Sequence, residues 1–522
     1  MKKILLFLLT IIITFLMGCD FLPSITTTST NTSTISTTTT TTTSNNLTGT
    51  TTSGFVTTSD GTVISTTTTD FDIDEYTYQT LFDNAVYKKF VIHFSRANFL
   101  KLIDDMENYN DLYGSYRDNT IQEVDIDYSD SLGNRMTLYE VGFRTKGNIF
   151  SRRLPVVKDN NGNIIGYQQV SFQLEFNETF NYLENSTQYK ELKDRRAFDL
   201  EQLNFKYIRE DDTSAVTEMM AYELYTEAGV VTSKASFAII YFDIEGTEVP
   251  YGLFMLQEPI DDVFVKRYFG RNQDGSVGDL YKCVWQTEPA KLTNDYSGYS
   301  LGVSDYNEGY RKTYQLKTNK DTSNFSSFIN FVDKLNNTSV INYQNVLEQI
   351  LDIDPLLKAF AMGFLIGSPD DYRSDANNYY LYFYEGKAVY IPFDMDQCLG
   401  YGWDPYGNHG LNLDVLNYPP AQSYIGNSSD LPMAYNILQI SAYKQQYLNY
   451  IIEYTNPTNG IFNYQDAVAE FYQVKALYEA EANLYNHLGV KNFSLESRNM
   501  TLSDYFAQKS TNARNSALSY IN

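Results

Sequence analysis

The period of the apolar positions changes along this chain, and each change predicts an element. An apolar run over residues 4–17 follows Lys2 and Lys3 and ends at Gly18-Cys19. It is too short to span a bilayer and reads as a bacterial secretory signal. Residues 24–69 are mostly Thr and Ser; with almost no large apolar side chains they cannot offset the entropy of ordering, which predicts a flexible tether. Alternation then predicts strands over 87–94, around Val124, over 139–145 and over 168–176, with a hairpin turn at 160–166, and helical spacing predicts a helix over 96–108. Asp212-Thr213-Ser214 starts a predicted helix that stops at Gly229, with Asp212 or Ser214 as N-cap. Strands over 235–242 and 251–257 follow, and from Phe328 the spacing turns helical, over 328–336, 345–351, 355–366, 443–454, 464–486 and 502–520. Sheet in the first half and helix in the second make an α+β fold.

The densest chemistry lies between Gly367 and Gly400. Asp370 and Asp371 sit in a loop of turn formers, and 379–384 reads as an aromatic-rich strand. Glu385 and Gly386 make a turn, and 388–393 forms the return strand that delivers Asp394 and Asp396. At a period of two, both carboxylates point to the same side. Asn377 and Asn378 add neutral oxygens. Hard cations such as Mg²⁺ take oxygen ligands, and phosphoryl transfer needs such an ion together with a separate acid that orients the attacking hydroxyl. Spacing alone fits solvated acidic turns at least as well.

The formal charge of −25 argues against nucleic acid and against broad attraction to anionic lipid headgroups. Three histidines and few cysteines disfavour a zinc centre. Cys283 and Cys398 either bridge or stay as thiols. There is no G-x-S-x-G elbow and no obvious Cys/His nucleophile pair. Gly270 to Gly275 has the spacing of a phosphate loop, but Ser276 stands where that loop needs Lys. The chain after the tether is long enough for one large core.

Asp370-Asp371, Asn377-Asn378-Tyr379-Tyr380-Leu381-Tyr382, Ile391-Pro392-Phe393-Asp394-Met395-Asp396 and Gly400 together resemble the signature of the spore coat protein H (CotH) kinase family, with Phe393 where that family usually has Trp. Val141 to Asn148 is similar to the family's basic strand and Gly turn, although Ile149 and Phe150 replace its serines. Asp212-Thr213-Ser214 with Glu218 is similar to its Asp-Pro-Ser-x-x-Arg-Glu helix, with Thr217 for Arg. Gly252 to Asp261 and Tyr281-Lys282 resemble two further segments, and all occur in the family's order from about residue 80 onward.

The resemblance implies an atypical protein-kinase-like bilobal fold, with a β-rich lobe over about 80–260 and a mainly α lobe over about 261–522. It implies transfer of the ATP γ-phosphate to Ser or Thr hydroxyls with Mg²⁺ or Mn²⁺. Asp371, with Asp370 as alternative, would orient the hydroxyl; Asp394, Asp396, Asn377 and Asn378 would hold metal. Arg144, Lys146, Gly147, Asn148, Glu218, Glu258 and Lys282 would serve the nucleotide. The Lys that the family places before the next strand falls near Gln169, so the phosphate-binding cation is left open. Leu16-Met17-Gly18-Cys19 resembles a lipobox, which implies a signal over 1–19, lipidation of Cys19, a tether over 20–75 and a domain over 76–522. The expected location is the outer face of a bacterial cell membrane, held by lipid alone. Expected partners are proteins with Ser/Thr-rich segments, this chain's own tether among them. The competing reading is an inactive surface lipoprotein used for binding or adhesion; a solute-binding lipoprotein ranks last, because it leaves the Asn-Asn-Tyr and Asp-x-Asp order unexplained.

Overall fold

A computed structural model describes residues 51–57, 63–69 and 75–521, apart from 150, 287, 297–299, 305–310, 423–424, 483, 485–492 and 497–499. The signal, Cys19 and most of the predicted tether lie outside the described residues. The first half of the chain forms β1 (Thr51–Thr57), β2 (Val63–Thr69), α1 (Glu75–Leu81), β3 (Lys88–Phe94), α2 (Arg96–Tyr113), β4 (Gln122–Asp130), β5 (Arg135–Thr145), β6 (Val156–Lys158), β7 (Ile164–Tyr167), β8 (Phe172–Glu175), α3 (Thr187–Leu192), β9 (Gln202–Tyr207), α4 (Thr217–Glu227), β10 (Ala235–Ile244) and β11 (Thr247–Gln257). The second half forms α5 (Asp262–Phe269), β12 (Leu280–Cys283), β13 (Leu301–Gly302), β14 (Tyr314–Leu316), α6 (Ser326–Asn337), α7 (Tyr343–Ile350), α8 (Ile353–Ile366), α9 (Tyr372–Asp375), β15 (Tyr379–Tyr384), β16 (Lys387–Pro392), α10 (Pro432–Leu438), α11 (Ser441–Tyr454), α12 (Tyr464–Ala482) and α13 (Leu502–Ile521). Strands dominate before β11 and helices after it, an α+β arrangement.

Nine of the first eleven strands form one sheet in the order β2-β1-β5-β4-β3-β10-β11-β9-β8, and β5 also pairs with β8, so seven of them close on themselves. Within this sheet, among the described residues, β3 and β10 are the pair that runs parallel. The β1–β2 hairpin adds to this sheet at β5, through Phe55 opposite Thr137, and lies within the stretch whose composition reads as tether. Alternation decides what the closed sheet encloses. Phe90, Ile92 and Phe94 of β3, Leu203 and Phe205 of β9, and Phe254 and Leu256 of β11 point into one aromatic-rich core. The opposite faces of β10 and β11, including Phe237, Ile239, Leu253 and Met255, pack on α4 and the helical half in a second core. On β9 the same alternation turns Asn204 and Lys206 away from the closed core.

The helical half is built around α8, buried from Leu356 to Ile366 except at Lys358. It stops at Gly367, whose φ of +68° and close approach to the Tyr505 hydroxyl leave no room for a side chain. Against α8 lies a five-stranded sheet, β13-β14-β12-β15-β16, whose β15–β16 hairpin turns at Glu385 and Gly386, both with positive φ. Several boundaries move by a few residues from the sequence expectation, as at β5, α2 and β11, and two of the shifts have a visible cause. The strand predicted over 168–176 is shortened to β8, because Gln169 is held in a buried loop by Tyr251 and Leu253 carbonyls. Helix α4 begins at Thr217, because Asp212 accepts the N–H groups of Ser214 and Ala215 at 3.0 Å and Thr217 at 3.3 Å and so caps a turn ahead of the helix. Cys283 and Cys398 are both buried thiols.

Candidate functional site

Three distant elements converge on Lys206. It sits on the outward face of β9, and its ammonium lies 2.8 Å from Glu218 in the first turn of α4, 3.4 Å from Asp396, and in hydrogen-bond contact with Asp394. Both aspartates follow β16. The strand period that predicts them on one side is not what places them: β16 ends at Pro392, and Asp394 has a left-handed φ of +62°. The Tyr222 hydroxyl, one turn after Glu218 on α4, accepts the Asp394 N–H at 2.9 Å and donates to Glu218 at 3.3 Å, fixing the bend to the helix.

Among these four groups one ammonium faces three carboxylates, a formal excess of −2 that Arg209 and Lys282 offset from farther off, in a site that water reaches in part. Burial alone would lower the Lys206 pKa, but Asp394, Asp396 and Glu218 hold it well above the usual range. Burial pushes Glu218 up to about 8 against the pull of Lys206, with Asp396 and Asp394 adding to the rise. Asp394 stays below the ordinary carboxylate range because Lys206 outweighs its burial, whereas burial raises Asp396. Oxygens of Glu218, Asp394 and Asp396 lie within 4.8 Å of one another. An all-oxygen set with excess negative charge suits a hard divalent cation; Lys206 engages all three, and Asp394 and Asp396, with side chains 33% and 23% exposed against 10% for Glu218, are the donors open to an ion.

Asp370 and Asp371 have different surroundings. Asp371 is the N-cap of α9: its carboxylate accepts the Ser374 N–H at 2.9 Å and the Ser374 hydroxyl at 2.7 Å, and it is 4% exposed. Asp370 accepts from the side-chain amides of Asn377 at 2.8 Å and Asn378 at 2.9 Å. Burial raises Asp370 to about 7 despite the Asn377 bond, and the charges of Asp394 and Asp396 add to the rise. Asp375, raised to about 9 by burial and by Asp370, shares a side-chain hydrogen bond with Asp370. The Asn377 oxygen is taken by the Trp285 N–H at 2.7 Å. Asn378 donates to Asp370 through its nitrogen, so its amide oxygen takes no part in that contact.

The predicted nucleotide residues divide. Lys146 donates to Asn204 at 2.5 Å, two positions along β9 from Lys206. Burial, then the charges of Arg144, Lys282 and Lys317, push its pKa well down. Lys282 stands 4.4 Å over the Phe393 ring and helps to hold Asp394 ionised. Arg144 is paired with Glu175 at 2.5 Å. Gly147, at φ +124°, meets Ser151 and Arg152 where a Cβ would sit, and Asn148 accepts the Ser151 N–H at 2.8 Å, so the two form a tight turn. Glu258 is engaged elsewhere, buried against Arg267 with Tyr268 at 3.2 Å. A cavity of about 940 Å³ near Gly278 and Asn319 contains none of the predicted site residues.

Lys206 is absent from the sequence expectation. Its only signal is the alternation Leu203, Phe205 against Asn204, Lys206, which marks a polar outward face without naming a partner. The model of the CotH kinase protein family matches residues 144–501, about two thirds of the chain. The chain belongs to the CotH kinase family. The match spans every element that meets at Lys206 and extends past the Asp370 loop to the start of α13. No curated protein matches the chain.

Proposed function

We propose that this CotH kinase family member is an atypical protein kinase that moves the ATP γ-phosphate to Ser or Thr hydroxyls, with the nucleotide held between the closed sheet and the helical half. The observation that carries this reading is the convergence of Lys206, Glu218, Asp394 and Asp396. A cation fixed by a helix carboxylate and set beside metal-type aspartates is the arrangement phosphoryl transfer needs.

Lys206 contacts phosphate oxygens and Glu218 holds it in place; Lys146 and Lys282 add charge from either side, and the Gly147-Asn148 turn closes over the phosphates. Asp394 and Asp396, with the Asn378 oxygen, would hold Mg²⁺ or Mn²⁺, which would supply charge neutralisation at the phosphates. Asp370, not Asp371, orients the acceptor hydroxyl and takes its proton, because Asp371 is committed to capping α9. Asn377 and Asn378 aim the Asp370 carboxylate, and Asp375 shares its proton load. The acceptor oxygen forms the new P–O bond as the bond to ADP breaks.

Lipidation at Cys19 would place the enzyme on the outer membrane face, with Thr-rich segments such as its own tether within reach at high effective concentration. The test is incubation of the full chain with ATP and Mg²⁺, followed by mass spectrometry. Phosphate on Ser or Thr that is lost in Asp370→Asn supports the reading; no transfer to the tether or to Ser/Thr peptides, with the protein folded, overturns it.

A further inference from the structure

A second pocket lies on the other side of α4, away from Lys206. Its volume is about 560 Å³, and Asp83, Glu223, Glu227, Asp466 and Glu470 line it. Among the described residues Lys234 is the one cation in that lining, and its ammonium stands 4.8 Å from the Tyr78 ring centroid. Among the described residues none of the five carboxylates forms an ion pair. Glu223 accepts from Asn84 at 2.8 Å and Asp466 from Asn463 at 2.6 Å, both neutral donors. Phe82, Met220 and Ile461 supply apolar wall.

Among the described residues the Ser233 hydroxyl, on a residue 1% exposed at the pocket wall, has no hydrogen-bond partner, and neither does the buried Oε2 of Glu470. A buried polar atom without a partner carries its full desolvation cost. The crowded carboxyls respond in the same sense. Burial, Glu470 and Glu227 push Glu223 up to about 8 despite its Asn84 bond, and Glu227 and Glu470 are also raised, mainly by burial.

A bare metal ion does not fit. Its ligands must meet at one point, and among the described residues only Glu218, Asp394 and Asp396 gather that closely. We propose that this pocket binds an organic cation, an ammonium or guanidinium carried on an alkyl stem. The stem lies along Phe82, Met220 and Ile461 while the head spreads its donors over Glu223, Glu227 and Glu470, as long basic side chains do at mixed surfaces. The chemistry is the same whether the cation is a free polyamine or a lysine side chain of a protein partner. Helix α4 carries Glu223 and Glu227 on the pocket side and Glu218 on the Lys206 side, so an occupant would brace the helix that positions Lys206. That consequence rests on the kinase reading; the binding does not.

The test is calorimetric titration of the full chain with spermidine in one arm and a trilysine peptide in the other, with no nucleotide present. Glu227→Gln with Glu470→Gln removes two pocket charges; Asp104→Asn with Asp111→Asn removes two charges on α2 as the control. The expected result is binding in at least one arm, weakened about tenfold or more by the pocket pair and unchanged by the control pair. Binding of spermidine alone identifies a small polyamine, and binding of the peptide alone identifies a partner's lysine. No binding in either arm, or equal weakening by both pairs, overturns the proposal. Because the titration contains no ATP, its failure leaves the kinase reading untouched, and failure of phosphate transfer leaves the pocket untouched.

Discussion

Replacing Lys206 by Met tests the electrostatic balance at the junction of β9, α4 and the bend after β16. The substitution keeps the stem and removes the charge, leaving Glu218, Asp394 and Asp396 facing one another. Breaking a buried ion pair by removing one partner costs about 3–5 kcal/mol. The aspartate side chains are 33% and 23% exposed, which puts the cost at the lower end, about 3 kcal/mol. At about 2 cal/mol/K of unfolding entropy per residue, a folded region of roughly 450 residues changes Tm by about 1 °C per kcal/mol. The expected loss at pH 8 is therefore about 3 °C. Without Lys206 the carboxyl pKa values lie above those of the unfolded chain, so their penalty grows as pH rises past the ordinary carboxylate range and disappears as they protonate. The loss should shrink to about 1 °C at pH 5. Adding Glu218→Gln to Lys206→Met should recover about half of the loss at pH 8. Scanning calorimetry of the three proteins at both pH values gives the answer. Equal losses at pH 5 and pH 8, or no recovery in the double variant, would refute the counter-ion role.

The two loop aspartates should separate by assay: Asp370→Asn lowers kcat about 10²- to 10⁴-fold with little change in Tm, while Asp371→Ala, which deletes the α9 cap, costs about 1 kcal/mol and lowers Tm measurably. The Glu223 carboxyl keeps its proton in the folded state up to about pH 8, whereas the unfolded chain releases it near pH 4.5. Its destabilising effect therefore grows between those values, and Glu223→Gln should raise Tm by about 2 °C at pH 8.5 and leave it unchanged at pH 4.5, read by thermal melts across pH.

Local signals carried much of this molecule. The β15–β16 hairpin was legible because aromatic strands flank Glu385-Gly386, and α8, α11 and α13 because their apolar spacing is long and regular. The acidic pairs at the two ends of the hairpin were legible as candidates. Their division of labour was not, because Asp370 and Asp371 are neighbours in sequence and only the start of α9 commits one of them to a cap. The cation was hidden for a related reason. Lys206 lies 188 residues from Asp394, so its partners are set by the packing of β9 and α4 against the segment after β16 and not by spacing. The family's motif places its Lys near Gln169, where this chain instead buries a neutral amide against the backbone of β11. The pocket behind α4 was equally invisible, since its carboxylates come from residues 83, 223–227 and 466–470.

The central claim is tested most directly by calorimetric titration of the full chain with ATP, with and without Mg²⁺, alongside Asp394→Asn. The account predicts binding that depends on Mg²⁺ in the parent protein and is lost in Asp394→Asn, whose Tm stays near that of the parent. Binding that is indifferent to Mg²⁺, or retained in full by the variant, would contradict the assignment of Asp394 and the phosphotransfer reading built on it.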